Sequence, residues 1–322
     1  MRTAPLPSMA LVTPFSAAVA ILLFNVCSCS GDDASQPASD PHDASVGNDA
    51  DTSAADSSIP DSTSTSAVSL SFVGRVGSEP FRCTSTYSQL GATQVAANVL
   101  DFRLYVHDVR LVRKDGGETP VTLTQDGKWQ YRNVALVDFE DRSGSCSNGT
   151  VDTNATITGT VPRGEGDYTA VRFRLGVPFD LNHGNAAAAP SPLNLSSLFW
   201  VWNAGYVFLR ADSRTIPTDG GASSTFFFHL GSAGCQGDAQ DGGVTGCAHP
   251  NVPDIELAPF DIATNKVAVD YAALVAESNL GGGGMGCMSS PDEPTCAPIF
   301  RHLGLDPATG QPVAGQTVFR AE

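Results

Sequence analysis

A chain of 322 residues with 18 Lys and Arg against 34 Asp and Glu carries a formal net charge of −16, which excludes the basic footprint that nucleic-acid binding needs. Its 32 Gly and 21 Pro, set between short apolar runs, favour a β-sandwich or barrel over a helical fold.

Arg2 precedes an apolar run from Phe15 to Val26 that is too short to span a bilayer as a stable helix and reads as a signal-peptide core. Val26-Cys27-Ser28-Cys29 follows directly. An apolar residue three positions before a Cys, with a small residue just before it, resembles the lipobox cut by signal peptidase II. Residues 1–28 are therefore expected to be a lipoprotein signal peptide and Cys29 the acylated first residue of the mature chain. An ordinary secretory peptide cleaved nearby is the alternative, and both readings export the chain. From Ser30 to Ala67 there are eight Asp, no Lys or Arg, and Ile59 as the largest aliphatic residue. Such a segment buries too little apolar surface to offset its ordering entropy, so residues 29–67 are expected to be a disordered acidic tether. Its Asp residues lack the fixed spacing and Gly turn of a calcium loop.

Residues 68–322 remain for a single domain. They hold Cys83, Cys146, Cys235, Cys247, Cys287 and Cys296. An even number in an exported chain reads as disulfides, with fifteen connectivities open. Proximity favours Cys235 with Cys247 and Cys287 with Cys296, leaving Cys83 with Cys146. A thiolate metal site is the rival reading, but there is no C-x-x-C pair in the domain to carry it.

In chain order, Val68 to Val76 alternates apolar with polar and predicts the first strand. Leu100 to Val106 alternates too, with a phase slip near Asp108 of the kind a β-bulge produces. Trp129 to Phe139 follows the Asp126-Gly127 turn as a hairpin. Tyr168 to Val177, Leu198 to Arg210, Thr225 to Leu230 and Ile255 to Phe260 are further strand-length runs. Asp270 to Ser278 predicts a short helix with Asp270 as N-cap, Gly281 to Gly284 a loop, and Ala297 to Leu303 a last short helix with Pro298 in its first turn. The fold class is all-β: an antiparallel β-sandwich with Greek-key-like connections and one or two short C-terminal helices.

No G-x-S-x-G elbow or equivalent signature marks a nucleophile. If Leu198 to Leu209 is a strand, Trp200 and Trp202 share a face, and His229 lies in a run apolar enough to be buried. From composition alone this is a Trp-packed core with a histidine satisfied by the backbone.

Gly176-Val-Pro-Phe-Asp-Leu-Asn-His183, Ser191-Pro-Leu-Asn-Leu195, Trp200-Val-Trp202-Asn-Ala-Gly-Tyr206, Phe228-His229-Leu-Gly-Ser232 and the late cysteines together resemble the MbnP family, also called metallo-mystery-pair proteins with a four-cysteine motif. The resemblance runs from about Val68 to Leu305. It implies a periplasmic or outer-membrane-attached protein with a sandwich-like β fold and a mononuclear copper site built from histidines and a tryptophan oxidised to kynurenine. It also implies a partner, a di-haem cytochrome c peroxidase-like enzyme resembling MauG, that performs the oxidation. Carried over by position, His229 is the first ligand candidate and His183 the second, with Trp200 and Trp202 both matching the tryptophan motif.

Imidazole suits copper, and kynurenine offers an aryl amine and a ketone that indole lacks. Two departures stand out: Met285 and Met288 sit in the Gly-rich loop rather than by the site, and six domain cysteines exceed the four of the motif. His107, on the strand face shared with Arg103 and Tyr105, is a third-ligand candidate of lower rank. His249 and His302 read as solvated, and His42 lies in the tether. The sequons at Asn148, Asn154 and Asn194 carry little weight in a lipoprotein.

The expectation is a lipoprotein of the periplasm or cell surface, held to the outer membrane by its lipid anchor. It binds copper for acquisition or storage, is the substrate of a di-haem enzyme, and is not itself an enzyme. The rivals are a non-metal binding or adhesion module and a copper redox enzyme.

Overall fold

Alternation along Thr65–Val76 turns Leu70, Phe72 and Val76 inward, and this strand seeds the smaller of the two sheets that make the sandwich; a separate two-stranded hairpin pairs Ala233–Asp238 with Gly243–His249. In the computed structural model the described residues are 64–322 apart from 148, 165, 218, 219 and 239–242. Cys29, the signal segment, the tether before residue 64 and the Asn148 sequon lie outside them. Thr65–Val76 pairs antiparallel with Thr156–Pro162 and parallel with Val267–Asp270. Phe319–Ala321 closes one edge of this sheet and Thr122–Leu123 the other.

The larger sheet is ordered Asp254–Leu257, Tyr168–Leu175, Val95–Arg113, Leu209–Ile216, Thr225–Leu230, Gly286–Cys287. Its 19-residue central strand, Val95–Arg113, also takes Tyr87–Leu90, Glu118–Pro120 and Val134–Asp138 as partners. The sheets pack through aromatic contacts: Phe72 and Phe319 each meet Phe173 edge to face at 5.7 Å. Phe102 packs on Phe81, Phe139 and Tyr271. The chain thus folds as an all-β sandwich. Two of its pairings are parallel, the one above and Thr225–Leu230 with Gly286–Cys287.

Several local expectations hold. The register of the central strand against Tyr168–Leu175 shifts opposite Arg172 and Arg174, and Asp108 there has φ +52, a bulge at the expected place. Asp270 caps the helix Tyr271–Leu274 by accepting from the Ala272 and Ala273 N–H groups. The helix Cys296–His302 is present, and the disulfides are Cys83–Cys146, Cys235–Cys247 and Cys287–Cys296.

The tether ends earlier than expected, because residues 65–67 already pair in the first strand, and two further expectations fail. The hairpin does not turn at Asp126-Gly127: Asp126 Oδ1 accepts from the N–H groups of Lys128, Trp129 and Gln130 and folds that stretch into a loop. The turn falls later, at Arg132 (φ +54), between Gln130–Tyr131 and Val134–Asp138. More consequentially, residues 198–208 are not a strand. A 3₁₀ turn at Ser196–Leu198 leads into a tight reversal, in which the Val201 carbonyl accepts from the N–H groups of Ala204 and Gly205. The strand begins only at Leu209. Gly205 makes the reversal possible, since its φ is +81 and a Cβ there would sit 2.4 Å from Asn182 Oδ1.

The position of this excursion decides what the central strand can carry. Phe102, Leu104 and Val106 face the interior, while Asp101, Arg103, Tyr105 and His107 face outward by the two-residue period. All seven are nevertheless buried, because the segment from Gly176 to Phe208 lies over the outer face. Tyr105 donates to the Pro192 carbonyl at 2.8 Å and meets Tyr206 at 5.8 Å, and Arg103 reaches Ser197 Oγ at 3.2 Å.

Candidate metal site

Under that excursion the outer face holds a row of charges. Arg103 donates to both oxygens of Asp101, at 2.8 and 2.5 Å. On the neighbouring strand Arg210 lies opposite Arg103 and Asp212 opposite Asp101. Arg210 Nε donates to Asp212 Oδ2 at 2.8 Å and stands 3.1 Å from Asp101 Oδ2. Its Nη1 holds the Ser197 carbonyl at 3.0 Å. Burial pushes the Asp101 carboxyl up, opposed by Arg103. Burial also works against the Arg103 charge, but Asp101 holds that guanidinium above its ordinary value. Deeper in, burial raises Asp138 to about 8 and also raises Glu140, with Arg103 opposing both.

The row ends at His229, opposite Arg210 on Thr225–Leu230. Its Nε2 lies 3.0 and 3.3 Å from the two oxygens of Asp212. Its Nδ1 is buried with no hydrogen-bond partner. The Trp200 ring lies 6.4 Å from the His229 ring, and Phe227 lies 6.0 Å from it on another side. Trp200 also covers Gly231, where a Cβ would fall 2.6 Å from Trp200 Cζ3; the glycine two residues past His229 is what lets the indole approach. Ser289 Oγ donates to the His229 carbonyl and accepts from Gly231 N–H, both at 2.8 Å.

His183 follows the short helix Phe179–Asn182. Its Nδ1 donates to the Trp202 carbonyl at 2.9 Å, which leaves Nε2 as an acceptor 3.2 Å from Asn182 Nδ2. The Cys247 sulfur of the Cys235–Cys247 bridge is 3.6 Å from the same nitrogen. His183, Trp200 and Trp202 line one cavity of about 610 Å³, together with Phe199 and Asn194. A larger one, of about 730 Å³, lies elsewhere, between Tyr168, Phe260 and Phe319, and has no histidine or cysteine in its wall.

The four candidates are thus brought to one region, but not as strand geometry required. Trp200 and Trp202 belong to a reversal, not to one strand face, and they differ in what they offer. Trp200 is the shared wall between His229 and the cavity, whereas Trp202 gives His183 its backbone carbonyl. Asn182 joins the parts: its Oδ1 accepts from Tyr206 N–H at 2.8 Å and its Nδ2 reaches Ser232 Oγ at 3.3 Å.

His107 donates from Nδ1 to the Gly176 carbonyl at 2.8 Å, and burial lowers its pKa, which favours the neutral ring. Among the described residues, each cluster of three closely spaced His, Cys, Asp or Glu ligand atoms contains a bridged cysteine pair. Among the described residues two imidazole Nδ1 atoms are buried without a hydrogen-bond partner, those of His229 and of His249, which was expected to be solvated; of the two, His229 has a carboxylate on its opposite ring nitrogen, the arrangement that suits a metal ligand.

Asp212 and Asn182 were not singled out by sequence reasoning. Arg210-Ala-Asp212 alternates like a wet strand face, and only the excursion that covers it gives it a role.

A family model described as MbnP matches residues 65–289. The solved structure of MbnP from Methylosinus trichosporium is similar, with a TM-score of 0.71 and 33% sequence identity over 80% of this chain and 98% of that one. No curated protein sequence matches the chain.

Proposed function

The chain belongs to the MbnP family, and from that premise we propose that it is an exported lipoprotein that binds copper through His229 and His183, with Trp200 as the tryptophan oxidised to kynurenine. The reading rests above all on His229: a buried ring nitrogen without a partner, beside an indole, costs free energy unless something occupies it. Imidazole nitrogen is a good copper donor. Trp200 is preferred over Trp202 because its ring lies by His229 while lining the cavity that His183 shares. Beside the imidazoles of His229 and His183, a third donor made by oxidising the indole gives the site a role for its aromatic wall. A di-haem MauG-like enzyme carries out the oxidation with dioxygen or peroxide as the oxidant, which opens the indole ring, and the lost carbon leaves as formate. The protein is a binding partner and substrate in this scheme, not a catalyst, and it acts in copper acquisition or storage at the outer membrane, in the periplasm or at the cell surface.

Peptide mass spectrometry across Leu198 to Arg210, on protein matured with its haem partner and on protein made alone, tests the modification. Trp200 should gain one oxygen and lose one carbon only in the matured protein. Copper content of the two preparations tests the site, and indole retained in both, without bound copper, sinks the proposal. Cys29→Ser should release the protein from membranes in fractionated cells; unchanged membrane association overturns the anchor. The aromatic cavity favours a second reading, a module that binds an apolar ligand without metal, which copper-free protein from the native host would support.

A further inference from the structure

The copper reading names His229; it does not say which ring nitrogen would meet the metal or what decides it. We infer that Asp212 is a positioning residue that holds the proton of His229 on Nε2 and so presents Nδ1, with its lone pair bare, to the metal. The inference rests on the copper reading for the identity of the metal and on local geometry for everything else.

A neutral imidazole has one N–H and one lone pair, and the hydrogen bond made by one nitrogen fixes the state of the other. Both nearest acceptors of His229 Nε2 are the oxygens of Asp212, at 3.0 and 3.3 Å. A carboxylate only accepts, so Nε2 must be the donor. Nδ1 then carries the lone pair, in the place where the buried ring lacks a partner.

Asp212 is itself fixed. It is buried, Oδ2 takes Arg210 Nε at 2.8 Å and Oδ1 takes the Phe228 N–H at 3.2 Å. Arg210 is held in turn by the Ser197 carbonyl and faces Asp101. The row of charges under the excursion therefore holds the carboxylate in place and aimed at one imidazole nitrogen. A carboxylate behind a metal-bound histidine orients the ring and raises its basicity.

Asp212→Asn tests this directly. Oδ2 takes Arg210 Nε and faces His229 Nε2, while Oδ1 takes the Phe228 N–H and faces the same imidazole nitrogen, so an amide sets an NH₂ donor against Nε2 at one of these places and removes the charge. The preference for a proton on Nε2 is thereby lost, and the tautomer with the proton on Nδ1, which blocks the lone pair, gains population. Nitrogen NMR of ¹⁵N-histidine-labelled, metal-free protein should show His229 protonated on Nε2 in the wild type and a raised share of the Nδ1-protonated tautomer in the variant. Silver(I), a diamagnetic stand-in for copper(I), should shift Nδ1 of the wild type and leave Nε2 protonated. Copper(I) affinity should fall about 10- to 100-fold in the variant, the usual cost of losing such a partner.

The wild-type measurements keep the test decisive if the variant fails to fold. A proton on Nδ1 in metal-free wild type, silver arriving at Nε2, or a folded variant with unchanged tautomer and affinity would each overturn the inference. Metal that leaves both His229 nitrogens unmoved overturns the copper reading itself, and so is told apart from metal arriving at the wrong nitrogen.

Discussion

The two histidines of the candidate site are held in opposite ways. His229 sits inside a strand whose neighbours are fixed by backbone pairing, and behind it stands a chain of buried charges from Asp212 to Arg103. His183 sits in an excursion from the sheet. Its orientation comes from one carbonyl on a turn, one amide, and a disulfide-stapled hairpin, Ala233–Asp238 with Gly243–His249. One half is prepared by the sheet, the other by loops that must stay closed. The rigid half is therefore expected to set affinity, and the loop half to set access and exchange.

The largest expected effect comes from removing the rigid half. His229→Ala deletes a donor and should weaken copper binding at least about 100-fold, on the scale of a lost metal ligand or its support. His183→Ala should cost less, with faster metal release, and His249→Ala should change little. Isothermal titration with a competing chelator ranks the three, and a His183 variant worse than the His229 variant would reverse the comparison.

Next comes the staple of the loop half. In the chain-entropy picture, Cys235–Cys247, closing 12 residues, contributes about 3 kcal/mol, against about 4 kcal/mol for Cys83–Cys146, which closes 63. The double variant Cys235→Ser/Cys247→Ser should lower unfolding free energy by about that smaller amount. It should loosen His183 while leaving the His229 resonances in place. Urea unfolding and ¹⁵N-histidine spectra read the two consequences separately, and a disturbed His229 would show that the halves are not independent.

Gly231→Ala acts on the wall between them. The added methyl meets Trp200 at 2.6 Å and the Tyr206 carbonyl oxygen at 2.8 Å, an overpacking expected to cost about 1–3 kcal/mol. Trp fluorescence should report a displaced indole along with a lower melting temperature. Unchanged emission and stability would mean that Trp200 does not rest where the comparison needs it.

The smallest effect lies beneath the rigid half. Burial raises the Asp138 carboxyl to about 8, against about 3.9 in an unfolded chain. The folded protein thus keeps a proton that the unfolded chain releases. This contribution to stability is full below about pH 4 and is lost as pH rises toward 8. Asp138→Asn should flatten the fall in unfolding free energy between pH 5 and pH 8 by at least about 1.4 kcal/mol. Parallel pH profiles for variant and wild type would show that this carboxyl ionises as freely in the fold as outside it.

How far the sequence foretold all this depends on where each residue's burial comes from. Val68 to Val76 announces itself by alternation, and Thr225 to Leu230 by a strand-length apolar run. Thr156–Pro162 was overlooked because Gly159 interrupts its inward row of Ile157 and Val161. Ala233–Asp238 and Gly243–His249 were overlooked because a disulfide supplies what an apolar face would otherwise provide. Leu198 to Phe208 read as a strand because its apolar residues are crowded, yet they are buried by lying across a sheet rather than by joining it. The same excursion hides Asp101, Arg103, Arg210 and Asp212, whose alternation with apolar neighbours imitates a solvated face. His229, His183 and the two tryptophans were legible through the resemblance; Asp212 and Asn182 act through contacts between elements far apart in sequence.

The first strand has a further consequence, in the order of assembly. Its parallel partner is Val267–Asp270, Asp270 Oδ1 takes the Gly77 N–H 193 residues away, and Arg75 bridges to Glu322 across 247 residues. During synthesis the N-terminal strand therefore waits for nearly the whole polypeptide before it can be flanked on that side. A topology dominated by such distant partners folds slowly, because the entropy of closing the loop is spent before the contacts reward it. The smaller sheet consequently stays open on that side until Val267–Asp270 and Phe319–Ala321 have both been made.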